Sequence, residues 1–93
     1  MQVDLQEVFV PVSKLPEYNR LPQDINTGRT RVPLRDSHGR EIPQGARVAL
    51  LYYFRGRLTV VWTRSKGELP LEVRNVSEED VDFLARYHPA GTR

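Results

Sequence analysis

Residues 47 to 64 read RVALLYYFRGRLTVVWTR, and the fold turns on this stretch. Two runs rich in β-branched and aromatic side chains flank Arg55-Gly56-Arg57. Such side chains suit the pleated surface of a strand. Alternation with a period of two places Val48, Leu50, Tyr52 and Phe54 on one face and Ala49, Leu51 and Tyr53 on the other. The return run gathers Leu58, Val60 and Trp62, with Thr59, Val61 and Thr63 opposite. Gly56 supplies the positive φ that a tight reversal needs, so 47–64 is a β-hairpin. Both of its faces are apolar, and the aromatic concentration has two readings: the filling of a small β core, or a surface that meets a partner.

Working outward, Ser65-Lys66-Gly67-Glu68 reads as a turn into a third strand over 69–73, where Leu69, Leu71 and Val73 alternate with Pro70 and Glu72. Upstream, Arg29 to Leu34 alternates with Val32 and Leu34 inward and Arg31 and Arg35 outward, and Asp36-Ser37-His38-Gly39 is a turn by composition. Residues 5–12 form a first strand, with Val8, Val10 and Val12 on one face, Phe9 on the other, and Pro11 marking an edge. Between them, 13–28 shows no period and holds Pro16, Pro22, Asn19 and Asn26, which predicts a long irregular loop packed by Leu15, Tyr18, Leu21 and Ile25. At the C-terminal end, Ser77 followed by Glu78, Glu79 and Asp80 has the form of a helix cap. Val81, Leu84, Ala85 and His88 recur at helical spacing, which predicts a short helix over 77–88 that packs on the sheet.

Together these predict one domain over 1–93, mainly β (α+β): a small, partly open barrel of about five strands with one short C-terminal helix. The order of a strand, a long loop and hairpin-linked strands is similar to that of SH3-like barrels, a resemblance that implies a fold and no particular activity.

The 93 residues, 39% of them hydrophobic and 28% charged, suit a single globular core and not a disordered chain. There is no cysteine, which excludes a disulfide framework, a thiolate nucleophile and cysteine metal sites and suits a reducing, cytoplasmic setting. No basic leader and no apolar run of about 20 residues is present, so neither a signal peptide nor a membrane partner is expected.

The net charge of +2 is unevenly placed: residues 20–66 hold ten cations against three acids, while the segments on either side are acidic. Arg29, Arg31, Arg35, Arg55, Arg57, Arg64 and Lys66 are candidate phosphate contacts, with Tyr53 or Tyr52 to stack on bases. The plainer reading is a set of solvated cations. His38 and His88 stand alone without ligand spacing, and no glycine-rich phosphate loop or nucleophile motif occurs, so no metal, cofactor or catalytic residue is expected.

Arginines beside a tyrosine on an open sheet can stabilise phosphoryl charge, and Leu34-Arg35-Asp36-Ser37-His38-Gly39 before a meander is loosely similar to small bacterial toxin RNases. Three functions follow. The first is a non-enzymatic module that docks on a protein partner or on itself, as a subunit, adaptor or inhibitor. The second is a nucleic-acid-binding barrel, and the third a small endoribonuclease.

Overall fold

A computed structural model describes residues 6–65 and 67–87. Among these residues, eight strands are present: β1 (Gln6–Pro11), β2 (Thr27–Thr30), β3 (Leu34–Arg35), β4 (Glu41–Ile42), β5 (Arg47–Phe54), β6 (Arg57–Trp62), β7 (Leu71–Ser77) and β8 (Val81–Tyr87). Six of them form one antiparallel sheet in the order β1-β8-β2-β5-β6-β7, and β3 and β4 pair as a separate ribbon. The fold is thus mainly β. The large sheet starts at β1 and stops at β7, and no ladder joins these two among the described residues, so the sheet does not close into a barrel.

One face of the sheet carries the core. Val10, Val48, Leu50, Leu58, Val60, Leu71, Val73, Val76, Val81, Phe83 and Ala85 are all buried there. The cover comes from the connections. Leu15 and Ile25 come from the 12–26 segment, and Leu34 and Ile42 come from the β3–β4 ribbon; all four join the same cluster. Burial of a Leu or Ile side chain contributes about 1.5–3 kcal/mol, so these four residues weld two otherwise polar connections onto the sheet. Among the described residues no layer covers the opposite face, which carries Ala49, Leu51 and Val61 beside Arg29 and Arg47.

The long loop is more ordered than its composition predicts. Val12–Tyr18 and Pro22–Asp24 are 3₁₀ segments, and Asn19 ends the first with φ 54°, a left-handed conformation that Asn tolerates. Leu15, Ile25 and Tyr18 pack on the core as expected, whereas Leu21 stays exposed.

The strand expected over 29–34 is split. β2 ends at Thr30, whose hydroxyl donates to the Pro43 carbonyl at 2.7 Å and accepts from the Ala46 amide at 3.0 Å. Pro33 has no amide to give a ladder, so the chain bends through 31–33, Val32 points outward and β3 starts afresh. The strand expected over 69–73 likewise starts beyond Pro70 and runs to Ser77, leaving Leu69 exposed.

The helix expected over 77–88 is absent from the described part of that span. The cap forms as read: Ser77 Oγ accepts the Glu79 amide at 3.3 Å. It turns the chain through only three residues, Glu78–Asp80, before β8 begins. Val81, Phe83 and Ala85 each show 0% exposure, an inward period of two that competes with the helical stripe in the same letters. β8 wins because it is inserted between β1 and β2 and satisfies the backbone of both. His88 lies outside the described residues.

Candidate functional site

The β5–β6 hairpin does not keep the simple alternation of its letters. Leu51 pairs with Thr59 and Phe54 with Arg57, so two residues of β5 oppose one of β6. The extra residue is Tyr52, held at φ 54°. Beyond this bulge the phase reverses: Val48 and Leu50 are buried, Tyr53 turns inward, and Tyr52 and Phe54 point out at 80% and 67% exposure. The face containing Val48, Leu50, Tyr52 and Phe54 is therefore divided at Tyr52, and two of the hairpin's four aromatics are not core.

A second bulge lies on the other side of β6. Val60 pairs with Val73 and Leu58 with Val76, and Asn75 takes up the slack at φ 58°. Both irregularities thus flank the Leu58–Thr59 segment of β6. A left-handed conformation costs an L-residue about 1–2 kcal/mol, less for Asn, and bulges re-aim side chains. Here the result is a shallow hollow lined by Tyr52, Phe54, Arg55, Arg57, Leu58, Thr59 and Asn75.

The reversal itself is left-handed at both central residues, Arg55 at φ 50° and Gly56 at φ 78°, the pattern of a type I′ turn. The Arg55 guanidinium carbon sits 5.1 Å from the Phe54 ring centroid, within cation–π range.

The hairpin end is tied to the segment after β7. The Glu78 amide donates to the Gly56 carbonyl at 2.9 Å, and the Tyr53 hydroxyl donates to Glu78 Oε1 at 2.6 Å. The bond to Glu78 is the main cause that raises the Tyr53 pKa above its usual 10.0, with burial and the carboxylate charge adding to it. A phenol that holds its proton more tightly is the reverse of an activated nucleophile or base.

The arginines of the basic middle segment do not converge. Arg31 Nε lies 3.5 Å from Asp82 and Arg35 3.1 Å from Glu41. Arg40 lies 2.6 Å from Asp36 and Arg47 3.7 Å from Glu7. Arg64 lies 3.5 Å from Glu68 and donates to the Leu69 carbonyl at 2.8 Å; its Nε is buried without a partner. Glu7, Glu68 and Asp82 come from the acidic flanks, so the segregation of charge along the chain is partly undone in space. Arg29 sits over the Phe9 ring, 4.2 Å from its centroid.

Arg55 and Arg57 make no ion pair within 4.0 Å among the described residues, and neither do Glu78, Glu79 and Asp80. Lys66 lies outside the described residues.

Of the sequence candidates, then, Arg55 and Arg57 share the hairpin end, Tyr53 braces it from within, and Arg31, Arg35 and Arg64 lie elsewhere in pairs. Phe54, Asn75 and Glu78 belong to the same end. Asn75 within an otherwise regular strand was the available signal for a bulge, whereas Tyr52 at positive φ has none.

Among the described residues no group of three or more His, Cys, Asp or Glu gathers as metal ligands. No described helix is long and apolar enough to cross a membrane. No protein-family model matches the chain, and neither a curated protein nor a solved structure does.

Proposed function

We propose that this protein is a non-enzymatic docking module. It presents the end of the β5–β6 hairpin to a protein partner whose surface offers an apolar patch flanked by carboxylates. A likeness to SH3-like scaffolds belongs to the same reading, as a proposal: a small β scaffold that holds a hairpin out from its core. One observation carries it: Tyr52 and Phe54 stand exposed side by side beside two arginines that no acid among the described residues pairs with. Aromatic and arginine side chains are the residues in which interface energy concentrates. The two bulges add to this, since left-handed Tyr52 and Asn75 cost stability and serve no core contact of their own.

The test is a photo-crosslinking residue, p-benzoylphenylalanine, at position 54 in the full chain, expressed in its native cells. A discrete adduct is expected at position 54 and none at position 69, where Leu69 is more exposed than Phe54 but lies away from the hairpin end. No adduct at position 54, or equal labelling at both, overturns the reading.

A second reading rests on the same residues, because two aromatics with two free cations also compose a small single-strand nucleic-acid site. It predicts a shallow salt response. Two phosphate contacts on a single strand give roughly a sevenfold loss of affinity between about 50 and 200 mM salt. Protein docking is favoured because five of the cations in 20–66 are already engaged by acids of the same chain.

A further inference from the structure

The hairpin end carries both signs of charge. Arg55 and Arg57 occupy and follow the turn, and Glu78, Glu79 and Asp80 stand directly across the bond between the Gly56 carbonyl and the Glu78 amide. The backbone tie brings the two groups together, yet no ion pair forms between them within 4.0 Å. Glu78 is turned aside by Tyr53 and by Gly56, where a Cβ would already lie 3.3 Å from Glu78 Oε2. Glu79 and Asp80 bond Arg31 through their backbone carbonyls, to its guanidinium at 3.5 Å and its amide at 2.9 Å, and their carboxylates make no ion pair within 4.0 Å among the described residues.

Unlike charges placed side by side and left unpaired form a self-complementary pattern. Across a two-fold axis, each cation of one copy meets an anion of the other, and every such contact occurs twice. We infer that the partner of the hairpin end is a second copy of this chain. In this pair, Tyr52 and Phe54 of the two copies pack together about the axis, while Arg55 and Arg57 of each face Glu79 and Asp80 of the other. This inference rests on the docking reading above and names its occupant.

The contact is small. Two aromatics offer about 300 Å² of apolar surface per copy, and even with the arginines and acids around them the interface sits at the low end of specific associations. Dimerisation in the range of about 10 µM to 1 mM follows, weakening as salt rises.

The experiment is light-scattering mass of the full chain over that range, with two charge-reversed forms. The double variant Arg55→Glu/Arg57→Glu makes the hairpin end wholly acidic, and Glu79→Arg/Asp80→Arg makes it net basic, with Glu78, held by Tyr53, as the remaining acid. Circular dichroism confirms that each is folded. The unaltered chain is expected to rise from 10.8 kDa toward twice that mass. Each reversed form alone is expected to associate at least about tenfold more weakly, and their equimolar mixture to recover a mixed dimer tighter than the unaltered one.

An unaltered chain that stays monomeric throughout overturns the inference, as does self-association undiminished in either reversed form. The two readings fail separately. A position-54 adduct with a different protein overturns the second-copy partner and leaves the docking surface standing, whereas no adduct at all removes both.

Discussion

The brace beneath the hairpin end can be measured one hydrogen bond at a time. Tyr53→Phe removes the hydroxyl that donates to Glu78 Oε1 at 2.6 Å and leaves the ring in place. A bond from a neutral donor to a carboxylate contributes about 1.5–3 kcal/mol, but both residues are half-buried and water competes, which brings the expectation to about 1 kcal/mol. For a domain of this size that corresponds to a melting point lower by about 4–8 °C.

The assay is urea unfolding at neutral pH of four proteins: the unaltered chain, Tyr53→Phe, Glu78→Ala and the double variant. A coupling energy near 1 kcal/mol is expected from the cycle. The sign of the pH dependence follows from the raised folded pKa of Tyr53. Its contribution is fully present below 10.0 and is lost as pH rises through the higher folded value. Ultraviolet titration of phenolate, taken as the difference between the unaltered chain and Tyr53→Phe, should show one late-ionising tyrosine that moves down in Glu78→Ala. A coupling within about 0.3 kcal/mol of zero refutes the brace, because additive behaviour of that size is what independent sites give.

Three further outcomes are expected. Gly28→Ala places a Cβ 2.6 Å from the Asp82 carbonyl oxygen and 2.9 Å from Leu50 Cδ1, between strands that cannot part, so about 1–3 kcal/mol of stability is lost; unchanged unfolding would show that β2 and β8 lie further apart. Tyr52→Asn, which suits the left-handed bulge, should hold or raise stability by up to about 1 kcal/mol while abolishing dimerisation, whereas β-branched Tyr52→Val should destabilise; the reverse order would mean that no bulge is there. Burial raises the Asp36 pKa, but the Arg40 and His38 amides and the Arg40 guanidinium outweigh it and hold it below 3.8. Its contribution is therefore intact above 3.8 and lost as pH falls through the lower folded value, so Asp36→Asn should flatten the acid limb of the stability profile.

What could be read in advance was local. The hairpin at 47–64 is set by its own side chains and by Gly56, and the Ser77 cap by three successive acids, and both stand in the structure. Residues 81–87 carry two periods at once, Val81-Leu84-Ala85 for a helix and Val81-Phe83-Ala85 for a strand. The choice between them lay in β1 and β2, whose unpaired backbones are remote in sequence. The basic middle segment misled for a related reason, since Glu7 and Asp82 reach it only through the fold. At the hairpin end Arg55 and Arg57 were legible from the turn, but the outward aim of Tyr52 and Phe54 depends on a bulge in a residue type that rarely adopts it.

The late strand β8 also sets an order of events in time. β5 and β6 are joined by two residues and can zip at once, whereas β1 can pair only after β8 exists, with Gln6 opposite Tyr87. Closing so long a stretch is slow in topologies of this kind. Until it happens, β1 has no ladder and β2 has only β5, so a chain still being synthesised exposes both as unpaired edges beside Val8, Val10 and Phe83's empty slot. Any truncation or slow translation after Asp80 therefore prolongs the one interval in which this small sheet is open to pairing with the wrong chain.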